Sequence, residues 1–460
     1  MNKEIFKAYD IRGIYSTEIN ELDAYKIAAA TCQFLKPKNL VIGSDVRLSS
    51  PSLKAAAIKG ATDQGVHVID VGEISTDMLY FAVANYGYDG GLTITASHNP
   101  KEYNGMKIVR EQSRPISSDS GLFEIRDLAE KIEADAEVLE KNLNESLVEK
   151  KEILEDYAEK VRSFANLANL KKFKIVANPN FGVGGKALDK ILENLEIELV
   201  KINYNPDGNF PKGRPDPLIP ENREEISRLV VEHKADFGVA WDADADRCFF
   251  FTEKGEFIEG YFITALLTKI FLSKSSPEKI VHDTRLVWAI EDLATQLGGA
   301  SVSTKAGHSF IKERMRKENA IFGGEMSAHY YFRDYYFCDC GMIPLVMMLE
   351  FLSAQEQKLS EIITELFWQK YFVSGEINTA VPDVKTMIEK IGSLYQENAA
   401  KTDLQDGISL EFTDPENESN NWRFNVRGSN TEPLIRLNVE AKNKELMEEK
   451  TAELLKIIQP

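Results

Sequence analysis

Residues 40–45 read Leu-Val-Ile-Gly-Ser-Asp, and this short apolar run, which ends in a turn, begins a pattern that the chain repeats. The pattern continues with an amphipathic stretch and a second apolar run at residues 66–72. It returns at residues 173–178, Phe-Lys-Ile-Val-Ala-Asn, and at residues 279–283, Lys-Ile-Val-His-Asp. An order of strand, turn, helix and strand is typical of parallel βαβ units. The sequence therefore predicts three α/β domains of roughly one hundred residues each.

The last part of the chain has a different pattern. Strand-like runs and two helical stretches alternate there, and this mixture predicts an α+β domain. The strand-like runs are residues 368–381, 408–412, 422–426 and 434–439, and the helical stretches are residues 384–398 and 443–458. We therefore predict an α/β protein of four domains. Their predicted bounds are 1–150, 151–252, 253–368 and 369–460.

The composition is that of an ordinary globular chain, with 460 residues of which 43% are hydrophobic and 28% charged. The 73 acidic residues outnumber the 55 basic ones, so the formal net charge is −18. Such a chain is a poor general binder of nucleic acid or anionic membrane, because phosphate affinity needs clustered Lys and Arg. The four cysteines are too few for a disulfide framework, and no apolar run approaches the ~18 residues of a membrane span. We expect a cytoplasmic protein without nucleic-acid or membrane partners.

The sharpest chemical signal is the stretch Asp242-Ala-Asp244-Ala-Asp246-Arg247, which lies between two apolar runs. Alternate residues of an extended chain point the same way, so the three carboxylates are expected to converge. Carboxylates that close do not all ionise unless a cation offsets them, and an oxygen-rich site suits Mg²⁺. The alternative is a solvated acidic turn, which the apolar flanks disfavour. The stretch therefore predicts a magnesium site.

A second signal is Thr95-Ala-Ser97-His98-Asn99-Pro100, which follows the apolar run at residues 91–94. A serine at the end of a strand can carry a phosphoryl group as a covalent intermediate. We do not expect a Ser-His-Asp triad, because an adjacent His on a strand points to the other face. From this motif alone, a purely structural turn remains the alternative.

Two further loops have the composition of ligand sites. The stretch from Arg427 to Pro433, Arg-Gly-Ser-Asn-Thr-Glu-Pro, is rich in donors and is typical of an anion nest that holds a phosphate. A plain turn between two strands is its alternative. In the stretch Gly323 to His329, Glu325 and Ser327 can both face a ligand and hydrogen-bond sugar hydroxyls, and His329 can exchange a proton near neutral pH.

Taken together, the motifs resemble those of the α-D-phosphohexomutase family in order and spacing over essentially the whole chain. The motifs that carry this resemblance are Tyr9-Asp-Ile-Arg12-Gly13, Thr95 to Pro100, Asp242 to Arg247, Gly324 to His329 and Arg427 to Thr431. Within the family, the sequence is most similar to bacterial members that act on mannose phosphates for GDP-mannose synthesis. The stretches that carry this closer similarity are residues 104–110, 206–211 and 323–334.

The resemblance implies a fold and a set of ligand contacts. It implies four domains around a central cleft, three of them related α/β mixed-sheet domains and the last a C-terminal α+β domain, each giving one loop. It implies that Ser97 is phosphorylated and that one Mg²⁺ binds Asp242, Asp244, Asp246 and an oxygen of the phosphoserine at position 97. Residues that would hold the sugar are Glu325 and Ser327, and those that would hold the phosphate that is not transferred are Arg427, Ser429, Asn430 and Thr431. Residues that would line the cleft are Tyr9, Arg12, Lys107, Arg247, Arg285, His308 and His329.

The resemblance also implies a reaction. A hexose 1-phosphate and a hexose 6-phosphate would interconvert through a phosphoserine and a 1,6-bisphosphate, which also serves as activator. The catalytic candidates are Ser97, His98, Lys107, Arg247 and His329. The general base is left open between Lys107 and His329. We expect mannose phosphates as substrates and a monomer or dimer.

Other functions stay open at this point. The first alternative is an enzyme that prefers glucose phosphates or accepts both mannose and glucose phosphates. An enzyme for amino-sugar phosphates is less favoured, because Met326 stands where amino-sugar mutases commonly have Gln. A metal-dependent phosphatase and a silent sugar-phosphate binding protein are the other two.

The sequence departs from the family pattern in two loops. In the metal loop, alanine stands at positions 243 and 245, where relatives usually have glycine. In the sugar loop, Ala328 stands where many relatives have glycine. Because a Cβ disfavours positive φ, we expect the backbone of the metal loop to be extended or in the right-handed helical region, or else somewhat strained.

Overall fold

The computed structural model describes residues 1–429 and 434–459. Two residues of the predicted phosphate loop, Asn430 and Thr431, lie outside the described residues. The chain forms two compact units. The first contains residues 1–257 and 329–356, and the second contains residues 258–328 and 357–460.

A mixed sheet of seven strands forms the core of residues 1–150. The strands are β1 (Ile11–Ile14), β2 (Asn39–Ser44), β3 (His67–Glu73), β4 (Gly90–Ile94), β5 (Tyr103–Arg110), β6 (Arg114–Pro115) and β7 (Val148–Lys150). The helices are α1 (Glu21–Leu35), α2 (Ser50–Thr62), α3 (Thr76–Asn85), α4 (Leu122–Lys131) and α5 (Glu137–Glu140). The strand order is β1-β5-β4-β2-β3-β7, with β6 on β5. Strand β2 is parallel to β3 and β4, so the predicted βαβ unit at residues 40–72 is confirmed.

A second mixed sheet follows in residues 151–258. Its strands are β8 (Phe173–Asn178), β9 (Ile197–Lys201), β10 (Phe237–Trp241), β11 (Cys248–Phe251) and β12 (Phe257–Ile258), and its helices are α6 (Leu154–Arg162), α7 (Gly184–Ile191) and α8 (Glu224–Glu232). Strand β8 is parallel to β9 and β10, whereas β10 is antiparallel to β11. All residues of β10 and β11 are buried. The predicted metal loop is the connection between these two strands.

The third predicted βαβ unit lies in the second unit of the chain. Its elements are α9 (Gly260–Lys274), β13 (Lys279–Asp283), α10 (Trp288–Gln296), β14 (Ala300–Thr304), α11 (His308–Glu318) and β15 (Phe322–Gly324). Strand β13 is parallel to both β14 and β15. Parallel strands end at the same edge, so the loops after β13 and β15 lie side by side.

Residues 329–356 return to the first unit. They form β16 (Tyr330–Phe332), β17 (Cys338–Asp339) and α12 (Ile343–Ser353). The Trp241 indole donates to the Gly341 carbonyl at 2.7 Å, and the Tyr335 hydroxyl donates to the Asp77 carbonyl at 3.0 Å. His329 forms an antiparallel bridge with Arg247. This return places His329 beside the loop that carries the three aspartates.

The C-terminal residues form an antiparallel sheet covered by helices. The elements are α13 (Leu359–Ile363), β18 (Phe372–Val373), β19 (Ile377–Ala380), α14 (Val384–Tyr395), β20 (Lys401–Asp403), β21 (Ile408–Phe412), β22 (Trp422–Gly428), β23 (Leu434–Ala441) and α15 (Lys444–Ile458). The strand order is β18-β23-β22-β21-β20, with β19 also on β23. The predicted strand at residues 368–381 is wrong in its first part, because Trp368 ends a π-helical turn.

Among the residues that the structure describes, no helix is both long enough and apolar enough to cross a bilayer.

Candidate active site

Ser97 lies at the end of β4 in a strained conformation. Its side chain is buried, and its φ is +49°. Positive φ is uncommon for a residue with a Cβ, and such strain persists only where neighbouring structure enforces it. The Thr95 hydroxyl helps to hold this conformation, because it accepts a hydrogen bond from the Ser97 N–H at 2.9 Å. Strain of this kind is often found at functional residues.

Arg47 enforces the conformation of the serine loop. Its guanidinium donates to the carbonyl oxygens of Ser97 and Asn99, both at 2.7 Å. It also donates to the carbonyls of Pro100 in the same loop and of Tyr103 at the start of β5, at 2.7 and 2.9 Å. Arg47 is fully buried, and Asp45 pairs with its Nε at 3.2 Å. The sequence analysis missed Arg47. Its position after β2 could have pointed to it, because β2 and β4 are parallel neighbours and the residues that follow them lie close together.

The hydroxyl of Ser97 contacts both a histidine and a carboxylate. Its Oγ lies 3.0 Å from His98 Nδ1 and donates to Asp242 Oδ2 at 3.2 Å. The expectation that His98 would point away from Ser97 is wrong, because the left-handed backbone at Ser97 turns the chain out of the strand. Burial, followed by the charges of Arg247 and Arg12, lowers the pKa of His98 well below its usual range. His98 is therefore a neutral neighbour of Ser97.

The three aspartates of the metal loop converge as predicted, although for a different reason. One carboxylate oxygen from each of Asp242, Asp244 and Asp246 lies within 4.8 Å of the others, and all three residues are buried. The loop is a turn, closed by a hydrogen bond from the Ala245 N–H to the Asp242 carbonyl at 3.1 Å. The extended chain invoked from the sequence is therefore wrong. Ala245 has a φ of +54°, so the strained alternative applies.

The carboxylates of Asp244 and Asp246 each use one oxygen for contacts within the protein. Asp244 Oδ2 accepts from the Thr76 hydroxyl at 2.6 Å and from Lys107 Nζ at 2.8 Å. Asp246 Oδ2 accepts from Lys107 Nζ at 2.6 Å. The Oδ1 atoms of Asp244 and Asp246 are buried and make no hydrogen bond to any residue that the structure describes. His329 Nε2 is 3.5 Å from Asp246 Oδ1. Two buried oxygens of this kind fit a divalent cation.

The pKa values of Asp242 and Asp246 are shifted in opposite directions. Burial, together with Asp246 and Asp244, raises the pKa of Asp242 to about 7 against the opposing charge of Arg247. Burial also acts on Asp246, but Lys107 and then His329 hold its pKa well below the usual range. Although burial opposes it, the charges of Asp244 and Asp246 raise the pKa of Lys107. Burial thus makes Asp242 harder to ionise than an ordinary aspartate, whereas the neighbouring cations keep Asp246 ionised.

Arg247 and Arg12 are held by other carboxylates near this loop. Arg247 Nε donates to Asp242 Oδ2 at 2.8 Å, and its Nη1 lies 3.4 Å from Asp216. Its Nη2 is buried and makes no hydrogen bond to a described residue. Arg12 pairs with Asp10 at 2.8 Å and donates to the Asn99 side chain at 2.6 Å. Both arginines are therefore fixed beside Ser97 with their charge retained.

The predicted sugar loop lies in the second unit, next to Arg285. Asp283 Oδ1 and Oδ2 accept from Arg285 at 3.0 and 2.8 Å, and the same carboxylate accepts from the Met326 N–H at 2.8 Å. Glu325 is buried, accepts from the Gly307 N–H at 2.7 Å and lies 3.8 Å from Arg285. Asp283, which the sequence analysis missed, thus ties the loops after β13 and β15 together. Three other predicted cleft or sugar-binding residues are half-buried. They are Tyr9, which precedes β1, His308, the first residue of α11, and Ser327, two residues after Glu325.

Three arginines of the second unit surround one carboxylate. Glu376 Oε2 is 3.3 Å from Arg285 and 3.1 Å from Arg427, and its Oε1 is 2.8 Å from Arg436. Although burial opposes it, the charges of Arg285, Arg427 and Arg436 lower the pKa of Glu376 to about 2. Arg436 also donates to Ser429 Oγ at 3.3 Å. The cluster has the composition of an anion site.

Glu376 and Arg436 were missed by the sequence analysis. Arg436 lies directly opposite Arg427 in the β22–β23 pairing. Like charges opposite each other are unfavourable unless an anion lies between them. The sequence carries the two arginines, but their register depends on how the two strands pair.

The predicted site residues therefore fall into two groups. The first unit holds Tyr9, Arg12, Ser97, His98, Lys107, Asp242, Asp244, Asp246, Arg247 and His329. The second unit holds Arg285, His308, Glu325, Ser327, Arg427 and Ser429.

Models of a known protein family match the chain. Four phosphoglucomutase/phosphomannomutase models match the chain in order: alpha/beta/alpha domain I at residues 3–136, domain II at 155–255, domain III at 259–371 and the C-terminal domain at 376–457. The matches cover most of the chain. The chain thus has the four α/β domains of this family, the last of them with an antiparallel sheet, and the predicted fold class is confirmed.

Individual relatives are similar over their whole length. A phosphomannomutase from Vibrio cholerae is 47% identical over 469 residues, which cover 98% of each chain. A protein from Xanthomonas campestris called phosphohexose mutases is 44% identical over 460 residues and 100% of each chain. The crystal structure of a phosphoglucomutase/phosphomannomutase family protein from Burkholderia thailandensis has a TM-score of 0.85 at 27% identity, covering 100% of this chain and 99% of the other. From its motifs, its site and these comparisons, the chain belongs to the phosphoglucomutase/phosphomannomutase family of mutases.

Proposed function

We propose that the protein is a phosphomannomutase, which reversibly interconverts mannose 1-phosphate and mannose 6-phosphate. The observation that carries this proposal is the buried Ser97 hydroxyl, 3.2 Å from Asp242 within a cluster of three carboxylates. A hydroxyl beside such a cluster suits a phosphoryl carrier that works with a divalent cation. The names of the relatives support mannose as the sugar.

Phosphoserine 97 transfers its phosphoryl group to the free hydroxyl of the hexose phosphate. The bond between phosphorus and Ser97 Oγ breaks while a bond to the sugar oxygen forms, and the hydroxyl proton passes to a base. The product is a hexose 1,6-bisphosphate. The reverse step, with the sugar in its other orientation, returns the second phosphoryl group to Ser97. A hexose 1,6-bisphosphate also phosphorylates the resting serine and so acts as activator.

Positioning and charge supply most of the catalysis in phosphoryl transfer. The Nη2 of Arg247, which is buried without a hydrogen bond among the described residues, is available to the oxygens of the transferred group. The backbone of Ser97 is fixed by Arg47, so the nucleophile loses little freedom in the reaction. Both features lower the barrier without moving the protein.

We assign one Mg²⁺ to Asp242, Asp244, Asp246 and an oxygen of phosphoserine 97. The buried Oδ1 of Asp244, which makes no hydrogen bond to a described residue, fits this assignment. The chemistry that a bound Mg²⁺ supplies at this site is charge neutralisation on the phosphoryl group.

Lys107 and His329 are the two candidates for the general base. Lys107 is paired with two carboxylates at 2.8 and 2.6 Å, whereas His329 is 3.5 Å from one of them. The kinetics of Lys107→Met and His329→Gln identify the base, because the variant that has lost it has a lower kcat with the sugar in either orientation.

The second unit supplies groups suited to a hexose phosphate. Glu325 and Ser327 are assigned to the sugar hydroxyls. The distal phosphate is assigned to Arg427, Ser429, Asn430 and Thr431, and Arg285 adds charge because it shares the Glu376 carboxylate with Arg427. The family resemblance also assigns Tyr9, Arg12 and His308 to substrate binding.

The purified protein tests the assignment directly. It is given mannose 1-phosphate, Mg²⁺ and a trace of mannose 1,6-bisphosphate, and mannose 6-phosphate is measured. Release of inorganic phosphate without isomerisation would instead identify a phosphatase. Intact mass of the resting enzyme, with Ser97→Ala as control, reports the phosphoserine.

A glucose or dual preference is the second candidate. It is favoured by the relatives called phosphohexose mutases, and mannose and glucose differ only at the 2-hydroxyl. The ratio of kcat/KM for mannose 1-phosphate and glucose 1-phosphate decides between them. A mannose preference would place the product in GDP-mannose and surface polysaccharide synthesis.

A further inference from the structure

Thr76 makes two hydrogen bonds to one residue of the metal loop. Its hydroxyl donates to Asp244 Oδ2 at 2.6 Å, and its N–H donates to the Asp244 carbonyl at 3.0 Å. Thr76 is the first residue of α3, is 1% exposed and lies 168 residues from Asp244 in sequence. None of the sequence motifs contains it.

The N–H bond holds the backbone of Asp244 beside α3, and the hydroxyl bond holds the orientation of its carboxylate. Its Oδ2 is taken by Thr76 and Lys107, whereas its Oδ1 makes no hydrogen bond to a described residue. A carboxylate held by one oxygen presents the other in a defined direction. Without the hydroxyl, Lys107 alone would hold Oδ2, and a lysine on a flexible stem fixes direction poorly.

The element that carries Thr76 is itself firmly anchored. Asp77, the next residue, is fully buried, and its carboxylate accepts hydrogen bonds from the Ser75 hydroxyl and from Tyr157 at 2.6 Å. The start of α3 therefore cannot move relative to the core without breaking buried hydrogen bonds. A rigid support is what a metal ligand needs to hold its geometry.

We propose that Thr76 is the positioning residue of the metal centre: its hydroxyl holds Asp244 Oδ2 so that Oδ1 faces the divalent cation. This inference rests on the proposed function only in requiring that a cation binds the three aspartates. Thr76 itself touches neither substrate nor the reacting atoms.

The test measures Mn²⁺ binding to the full-length, unphosphorylated protein by the electron paramagnetic resonance signal of free Mn²⁺. Thr76→Val keeps the shape of the side chain but removes the donor, and Thr76→Ser keeps the donor. Loss of a group that orients a ligand typically costs about 10- to 100-fold in metal affinity. We expect the Kd to rise by that factor in Thr76→Val and to stay near the wild-type value in Thr76→Ser.

A matched control separates positioning from general damage. Thr31→Val makes the same change at a fully buried threonine of α1, whose hydroxyl donates to the Ile27 carbonyl at 2.8 Å. It should leave the Kd for Mn²⁺ unchanged. If Thr76→Val fails to fold, Thr76→Ala takes its place with the same expectation.

The possible results distinguish two failures. Wild-type affinity in Thr76→Val, or weak binding in Thr76→Ser equal to that of Thr76→Val, overturns the role of the hydroxyl while leaving the metal site intact. Absence of Mn²⁺ binding in the wild-type protein overturns the metal assignment of the proposed function itself.

Discussion

Glu376 offers a quantitative test of the arginine cluster in the second unit. Glu376→Gln keeps the shape of the side chain but removes the charge that faces three guanidinium groups at 2.8 to 3.3 Å. The carboxylate is well shielded, with 17% of the side chain exposed. Its pKa falls from an ordinary 4.5 to about 2, against the effect of burial and under the charges of Arg285, Arg427 and Arg436.

The pKa shift sets both the size and the pH window of the effect. A fall of this size corresponds to about 3 kcal/mol of stability that the ionised form adds over the protonated one. Because the pKa is lower in the folded protein, this contribution is fully present above pH 4.5 and is lost as the pH falls towards 2. Glutamine approximates the protonated acid. The difference between wild type and Glu376→Gln should therefore be about 3 kcal/mol at neutral pH and shrink towards zero near pH 2.

Hydrogen exchange of the β22 and β23 amides measures this difference locally, without requiring the whole chain to unfold in one step. Glu389→Gln is the matched control, since it removes the same charge from an exposed side chain 3.9 Å from Lys385. The control should change protection little at any pH. Equal protection of wild type and Glu376→Gln at neutral pH, or a difference that grows as the pH falls, would refute the reasoning.

Four further predictions follow from the site. Ser97→Ala removes the phosphoryl carrier and should lower kcat by roughly 10³-fold or more; wild-type turnover, with no other serine phosphorylated, would contradict the mechanism. A chelator should abolish activity and added Mg²⁺ restore it, so turnover that persists in chelator would remove the metal assignment. Arg427→Ala should mainly raise KM, because it removes binding shared by ground and transition states; a large fall in kcat with KM unchanged would argue against this. Ala245→Gly should relieve the strain at a φ of +54° and raise the free energy of unfolding of the first unit by up to about 1 kcal/mol, and chemical denaturation that shows a clear loss of stability would speak against such strain.

Several features of the site could be predicted because they depend on neighbouring residues. The aspartates converge because they share one short connection between two buried strands, whatever the conformation of that connection. Ser97 lies at a strand end because the apolar run of β4 ends just before it. Arg47 was within reach of the same reasoning, since parallel strands bring their ends together.

The sequence by itself determined the α/β units, the C-terminal α+β domain, and the residue types that meet at the serine and the metal loop. The tertiary structure alone decided how they are held. Thr76 reaches Asp244 across 168 residues, and Glu376 reaches Arg285 across 91. The positive φ of Ser97 and of Ala245 also depends on such contacts, because an isolated chain with a Cβ avoids that conformation. Hydrogen bonds and charges act over a few ångströms, and only the packed fold brings such distant residues that close.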